Sequence, residues 1–139
     1  MKTNPPFLPL PGIRPLLWIA FILWMGTVWA LSSLTPKEMP PVPMWEGADK
    51  VAHFILFMAG ACVLCMALRA SVSWRWLVVI LVSIVVVSLY GATDEYHQLY
   101  TVGRSGADVG DWIADSAGAV AGSVLIIFVY GLCERKKAR

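Results

Sequence analysis

Four long apolar runs divide the chain, and each is long enough to cross a lipid bilayer as a helix. They cover residues 15–34, 51–68, 76–93 and 112–132. A helix of about 20 apolar residues spans the roughly 30 Å hydrocarbon core. Because backbone polar groups in lipid must be satisfied within their own segment, even the Val- and Ile-rich third run is predicted to be helical. The sequence therefore predicts an all-α, polytopic membrane bundle with four transmembrane helices, forming a single domain over residues 1–139.

Composition supports a membrane location. Apolar residues make up 58% of the chain and charged residues 14%, against about 45–50% and 25% in soluble domains. A cleaved signal peptide is the competing interpretation of the first run. That run is long for a signal peptide, and Val28-Trp29-Ala30 is a poor cleavage site, so we expect it to be retained as a span.

The basic residues predict the orientation of the bundle. With four spans, the N-terminus, the 69–75 turn and the C-terminal tail fall on one side of the membrane. These three segments hold most of the basic residues: Lys2, Arg14, Arg69, Arg75, Arg135, Lys136, Lys137 and Arg139. Every acid except Glu134 falls at the other end. The positive-inside rule then predicts that both termini are cytoplasmic. Because the only basic run is this short tail, nucleic acid is not an expected partner.

A dense polar cluster lies between the third and fourth runs, in residues 90–122. It holds five acids, a His, a Gln and an Arg, and a charged residue at a membrane helix centre costs about 2.5–3.5 kcal/mol on insertion scales. Helical periodicity groups polar residues on one face of each of three helices. Asp49 shares a face with His53 on the second helix, and Asp94 shares one with Gln98 on the third, with His97 just beside it. Asp108, Asp111 and Asp115 share a face of the fourth helix. These faces predict a buried polar site at the outer surface.

Further expectations concern the interior of this cluster. Asp115 and His53 lie inside predicted spans, so we expect them to pair. Arg104 is the expected counter-ion, because its fork can hold two carboxylates or one phosphate. Gly118-x-x-x-Gly122 continues the acidic face and is a close-packing motif in membranes. The alternative is that acids at helix ends lie singly in the headgroup region or favour a helix dipole.

Together these residues resemble the VanZ-like membrane family. The resemblance covers roughly residues 15–132 and rests on Asp49-Lys50-x-x-His53-Phe54-x-x-Phe57, Asp94-Glu95-x-His97-Gln98, Gly103-Arg104-Ser105 and Asp111-x-x-x-Asp115-x-x-Gly118-x-x-x-Gly122. The family pattern commonly has Asn at the position of Asp115, so the site here is more anionic. The resemblance implies a small multi-pass bundle in the bacterial cell (inner, cytoplasmic) membrane. It also implies an association with antibiotic resistance, as reduced susceptibility to the glycopeptide teicoplanin.

The first functional hypothesis is that the outer site binds a lipid-linked cell-wall precursor or another anionic lipid headgroup. Arg104 and Lys50 would take the anionic group, and His53, Asp94 and Gln98 would orient it. The full set of candidate binding residues is Asp49, Lys50, His53, Asp94, Glu95, His97, Gln98, Arg104, Asp111 and Asp115.

The second hypothesis is a metal-dependent hydrolase or transferase acting on a lipid phosphate or diphosphate. Asp108-x-x-Asp111-x-x-x-Asp115 resembles the acid-rich motif of membrane prenyltransferases, and carboxylates on one face can hold Mg²⁺ or another divalent cation. The catalytic candidates are His53, Asp94, Glu95 and His97. Zinc is less favoured, since the chain has only two histidines, and Glu95 and His97 do not share a helix face.

The third hypothesis is a small transporter or proton-relay component that uses the Asp, His and Glu side chains. Four spans are few for a transporter, and no inverted repeat or interrupted helix is evident. A homo-oligomer would supply the missing spans and stays open as an alternative.

Overall fold

The computed structural model describes residues 12–39 and 45–137, and these form four consecutive helices. Their bounds are α1 Ile13–Ser32, α2 Ala48–Ser71, α3 Trp76–Gln98 and α4 Val109–Lys137. Each contains a segment long and apolar enough to cross a membrane. The described residues include no strand. The predicted class, an all-α bundle of four membrane helices, is confirmed.

Helices α2, α3 and α4 all extend past the apolar runs into the polar sequence. Helix α2 begins at Ala48, so that Asp49 and Lys50 lie in its first turn. Helix α3 continues to Gln98, where the Gln98 side chain donates back to Asp94, one turn earlier, at 3.0 Å. The polar residues thus keep helical spacing and share the faces that periodicity predicted.

The residue before α4 acts as its cap. The backbone N–H of Gly110 donates to Asp108 Oδ1 at 2.7 Å, which satisfies one of the donors that a helix start leaves free. Asp108 and Asp111, at the start of α4, both contact Lys50 of α2.

Helices α2 and α4 pack with their backbones close together. A side chain at Gly118 would collide with the carbonyl oxygen of Phe54, and one at Gly122 with the carbonyl oxygen of Met58. Both glycines are buried. The Gly-x-x-x-Gly spacing therefore has the packing role that the sequence predicted for it.

Helix α1 covers the other side of α2. The Trp24 indole occupies the space over Gly60 and donates from Nε1 to the carbonyl oxygen of Leu56 at 2.9 Å. It also packs edge-on against Phe57, with ring centroids 5.5 Å apart. The core is therefore aromatic where α1 meets α2. Many large apolar side chains on the outward faces of the helices are exposed, as contact with lipid requires.

The helices alternate in direction, so the bundle has two distinct ends. At the tail end, Trp18 of α1 donates to Ser71 of α2 at 2.9 Å, and Trp76 of α3 contacts Tyr130 of α4. At the opposite end, here the polar end, Ser32 of α1 lies 3.2 Å from a ring nitrogen of His97 on α3. The start of α1 and the end of α4 therefore lie at the same end of the bundle, the tail end.

Replacing Gly118 with alanine is expected to destabilise the bundle. The added methyl group meets backbone, which does not yield as a side chain does, and overpacking costs about 1–3 kcal/mol. This exceeds the gain of about 1 kcal/mol in helix propensity. Gly131→Ala is the matched control because nothing lies within 4 Å of its added Cβ. Unfolding in detergent should show a lower free energy of unfolding for Gly118→Ala alone; equal values would contradict the packing.

The orientation predicted from the charges can be tested by labelling. Glu38 at the polar end and Arg75 at the tail end are both exposed. We expect a membrane-impermeant maleimide to label Glu38→Cys from outside the cell, and Arg75→Cys only after permeabilisation. Both variants need a background in which alanine replaces the native thiols Cys62, Cys65 and Cys133. The reverse labelling pattern would place the polar end in the cytoplasm.

Candidate functional site

A buried pair between α2 and α4 lies at the centre of the polar end. His53 Nδ1 and Asp115 Oδ1 are hydrogen-bonded at 2.9 Å, and the Asp115 side chain has 0% exposure. The pairing that the sequence predicted is therefore present. Asp115 lies one helical turn before Gly118, so the close approach of α2 and α4 brings the two side chains together. The other ring nitrogen, Nε2, is 4.0 Å from Asp111 Oδ2.

Lys50 lies nearer the surface and contacts three carboxylates. Its ammonium is 2.9 Å from Asp111, 3.3 Å from Asp49 and 3.5 Å from Asp108. The Gly110 N–H lowers the pKa of the Asp108 carboxyl group, and Lys50 acts in the same direction. Two of the three acids in the predicted metal motif, Asp108 and Asp111, are thus engaged by an ammonium group.

Glu95 joins α3 to the segment that leads into α4. It is only 4% exposed, and its Oε2 accepts the backbone N–H of Asp108 at 2.8 Å. Its backbone carbonyl accepts the N–H of Ala107 at 3.0 Å, and Gln98 donates to Oε1 at 3.2 Å. These contacts hold the carboxylate beside the buried pair. One ligand atom each from His53, Glu95 and Asp115 lies within 4.8 Å of the others.

Arg104 contacts carbonyl groups rather than the carboxylates that the sequence suggested. It donates to the carbonyl oxygens of Leu31 at 2.9 Å and Leu34 at 3.2 Å. It also donates to Gln98 Oε1 at 3.2 Å. Among the acids whose side chains the structure describes, none forms an ion pair with it. The carbonyls at the end of α1 carry partial negative charge and lack helical partners, which explains why the guanidinium lies there.

A cavity of about 190 Å³ opens between α1, α2 and α3 beside these groups. Its walls are mostly apolar, and its polar lining consists of Ser32, Asp49, His53, Asp94, Gln98 and Arg104. Asp94 is 2% exposed; its Oδ2 accepts from Gln98, but its Oδ1 has no hydrogen-bond partner. A buried carboxylate with one acceptor oxygen lacking a donor thus belongs to the cavity lining.

The structure brings most of the predicted residues together but divides them into groups. Asp49, His53, Asp94, Gln98 and Arg104 line the cavity. A second group lies outside its lining, on α4 or against the N-terminal end of α4: Lys50, Glu95, Asp111 and Asp115. His97 is in neither group: its ring packs on Trp29 with centroids 3.8 Å apart.

Several cavity residues were not among those predicted from the sequence. Met39, Ala48, Ala52 and Leu56 line the cavity, yet small and aliphatic residues in an apolar run look like any lipid-facing or packing position. The inward face of α2, marked by Asp49 and His53, indicated where the three α2 residues would lie, but nothing in the sequence indicated Met39.

Comparison with known proteins adds one finding. A family model described as VanZ/LLP1 matches residues 13–130. This range includes nearly all of the four helices and every residue of the polar end described above. The comparisons with curated proteins and with solved structures give no match.

Arg104→Lys is expected to destabilise the polar end although the charge is kept. Lysine lacks the planar fork and cannot reach Leu31, Leu34 and Gln98 at once. A hydrogen bond to a charged group contributes about 1.5–3 kcal/mol, so we expect a loss of that order in the free energy of unfolding. The exposed Arg75 provides the same substitution as a control, with an expected change within about 0.5 kcal/mol. Equal losses in both variants would contradict the anchoring role.

Proposed function

The chain belongs to the VanZ/LLP1 family of membrane proteins, and we propose that it binds a lipid-linked or other anionic cell-wall component at its polar end. Binding there would lower susceptibility to glycopeptide antibiotics such as teicoplanin by changing how they engage their target. The observation that carries the proposal is the cavity between α1, α2 and α3, which combines apolar walls with Arg104, Gln98 and an unpaired oxygen of Asp94.

The apolar part of the cavity suits an acyl or prenyl segment. Val28, Leu31, Leu56 and Phe57 form this part of the lining, and burying apolar ligand surface is the main favourable term in such sites. A volume of about 190 Å³ is below the roughly 300–1,000 Å³ of sites that enclose a whole ligand. The cavity would therefore take only part of a lipid, with the rest of the molecule left in the bilayer.

The polar part suits a headgroup that carries both an anion and a hydrogen-bond donor. Arg104 uses four donations, to Leu31, Leu34, Gln98 and Met39. Because a guanidinium has five N–H groups, one remains for a phosphate or carboxylate oxygen. The Asp94 Oδ1 that lacks a partner would accept a hydroxyl or amide N–H from the same headgroup. Lipid-linked sugars and peptides offer both kinds of group.

The two basic residues of the polar end have different parts in this proposal. Lys50 already lies within 3.5 Å of three carboxylates, which offset its charge. Arg104 forms no such ion pair among the described side chains. We therefore assign the anionic group to Arg104, with Lys50 at the edge of the site.

Filling the cavity is expected to weaken binding without removing any polar contact. Ala52 lines the cavity, whereas Ala59, also exposed on α2, does not. Ala52→Trp and Ala59→Trp therefore form a matched pair. With the protein in nanodiscs, we expect Ala52→Trp to weaken binding of a polyprenyl phosphate, or of a polyprenyl-diphosphate-linked muropeptide, at least tenfold, about 1.4 kcal/mol. Ala59→Trp should bind like the wild type.

The same pair of variants tests the cellular effect. Cells that express Ala52→Trp should lose the reduced teicoplanin susceptibility that wild-type and Ala59→Trp protein confer. Full protection by Ala52→Trp, at equal amounts of protein in the membrane, would show that the cavity is not where the chain acts.

A further inference from the structure

We propose that His53, Glu95 and Asp115 form a binding site for a divalent cation enclosed between α2, α3 and α4. Each helix contributes one residue, and the three ligand atoms lie within 4.8 Å of one another. Metal–ligand bonds of about 2.0–2.2 Å place neighbouring ligand atoms about 3–4 Å apart. Only a small inward movement of these side chains is therefore needed to close around an ion.

The donor set indicates which ions would bind. One imidazole nitrogen and two carboxylate oxygens suit Zn²⁺ or Mn²⁺ better than Mg²⁺, which prefers oxygen ligands and retains water. The His53 Nδ1 and Asp115 Oδ1 atoms are 2.9 Å apart, and a proton lies between them when no ion is bound. The ion would take the place of that proton, which leaves to solvent if the ring is an imidazolium and moves to Nε2 if the ring is neutral, so that His53 binds as neutral imidazole.

An unpaired oxygen points independently to a missing partner here. Asp115 has 0% exposure, and its Oδ2 has no hydrogen-bond partner. Oδ2 is directed at α3: a Cβ on Gly91 would lie 2.7 Å from it, and Glu95 follows Gly91 by one helical turn. A buried carboxylate oxygen without a donor is costly, and a cation held between Asp115 and Glu95 would remove that cost.

The surroundings hold the three ligands as outer-shell groups do in metal sites. Ligating histidines usually turn their second nitrogen to a carboxylate, and His53 Nε2 lies 4.0 Å from Asp111 Oδ2. Glu95 is fixed by the Asp108 N–H at 2.8 Å and by Gln98 at 3.2 Å. Glu95 is thus positioned before any ion arrives.

This site differs from the acid-rich set predicted from spacing, Asp108, Asp111 and Asp115. The Lys50 ammonium lies 3.5 Å from Asp108 and 2.9 Å from Asp111, so a positive charge already occupies the space between α2 and the start of α4. In the described part of the chain, no lysine ammonium forms an ion pair with a member of the set that contains Glu95.

The test uses the full-length protein in detergent, stripped with a chelator and titrated with Mn²⁺, Zn²⁺ or Mg²⁺. Bound metal is measured by elemental analysis, and thermal unfolding is followed alongside. Asp115→Asn and Glu95→Gln each remove one ligand with little change of shape, and Asp108→Asn is the control. Because outer-shell changes already cost about 10–100-fold in metal affinity, we expect both ligand variants to bind at least ~100-fold more weakly. Asp108→Asn should stay within a few-fold of the wild type.

A spectroscopic measurement on the wild type keeps the proposal testable if a variant does not fold. Bound Mn²⁺ should show electron-spin-echo modulation from one histidine nitrogen. Absence of that signal, or no binding above that of Asp115→Asn, would overturn the proposal and leave a metal-free His53–Asp115 hydrogen bond. Loss of binding in Asp108→Asn but not in Glu95→Gln would move the ion to the acid-rich set. The result is independent of lipid binding, which the Ala52 and Ala59 variants test.

Discussion

Lipid tails are as apolar as leucine, so two membrane helices gain little by burying apolar side chains against each other. Helices α2 and α4 instead touch through their backbones, where Gly118 and Gly122 leave no side chain between them and the carbonyls of Phe54 and Met58. One turn beyond this contact, His53 and Asp115 meet at 2.9 Å. The buried pair thus depends on the glycines: with larger residues there, the helices would separate and each polar group would face hydrocarbon alone.

The connecting segments of the polar end are fixed by side chains that satisfy backbone groups. Arg104 donates to the carbonyls of Leu31 and Leu34 at the end of α1. Glu95 accepts the N–H of Asp108 just before α4. Because both residues also contact Gln98, one glutamine on α3 links the end of α1 to the start of α4. Gln98 and Arg104 also line the cavity, so the network that fixes these segments forms part of the cavity wall.

The sequence predicted the fold because membrane length and backbone hydrogen bonding leave few choices for apolar runs of this size. It also predicted the His53–Asp115 pair, since periodicity on two helices turned both residues inward. It failed for Arg104 as a partner of carboxylates, because two of its acceptors are main-chain carbonyls at and just beyond the end of α1, which no residue type marks.

Spacing along one helix was also a poor guide to which acids gather. Asp108, Asp111 and Asp115 share a face of the fourth run, yet Lys50 from α2 engages the first two, and Asp115 lies instead beside Glu95 of α3. Such a grouping depends on how three helices are arranged, which a pattern read along one helix does not contain. The cavity has the same origin, since its lining comes from α1, α2, α3 and the segments after α1 and α3.

Two buried carboxylates at the polar end, Asp94 and Asp115, each keep one oxygen without a donor, and their surroundings differ. Asp94 lines the cavity, so a hydroxyl or amide group of a ligand can reach it. Asp115 is outside the cavity lining and has 0% exposure. Any partner of its free oxygen would therefore have to be as small as an ion or a water molecule. The two oxygens therefore need partners of different size. His53 lies between the two sites, because it lines the cavity and also contacts Asp115. An ion at the inner site would place positive charge next to the cavity and strengthen its hold on an anionic headgroup.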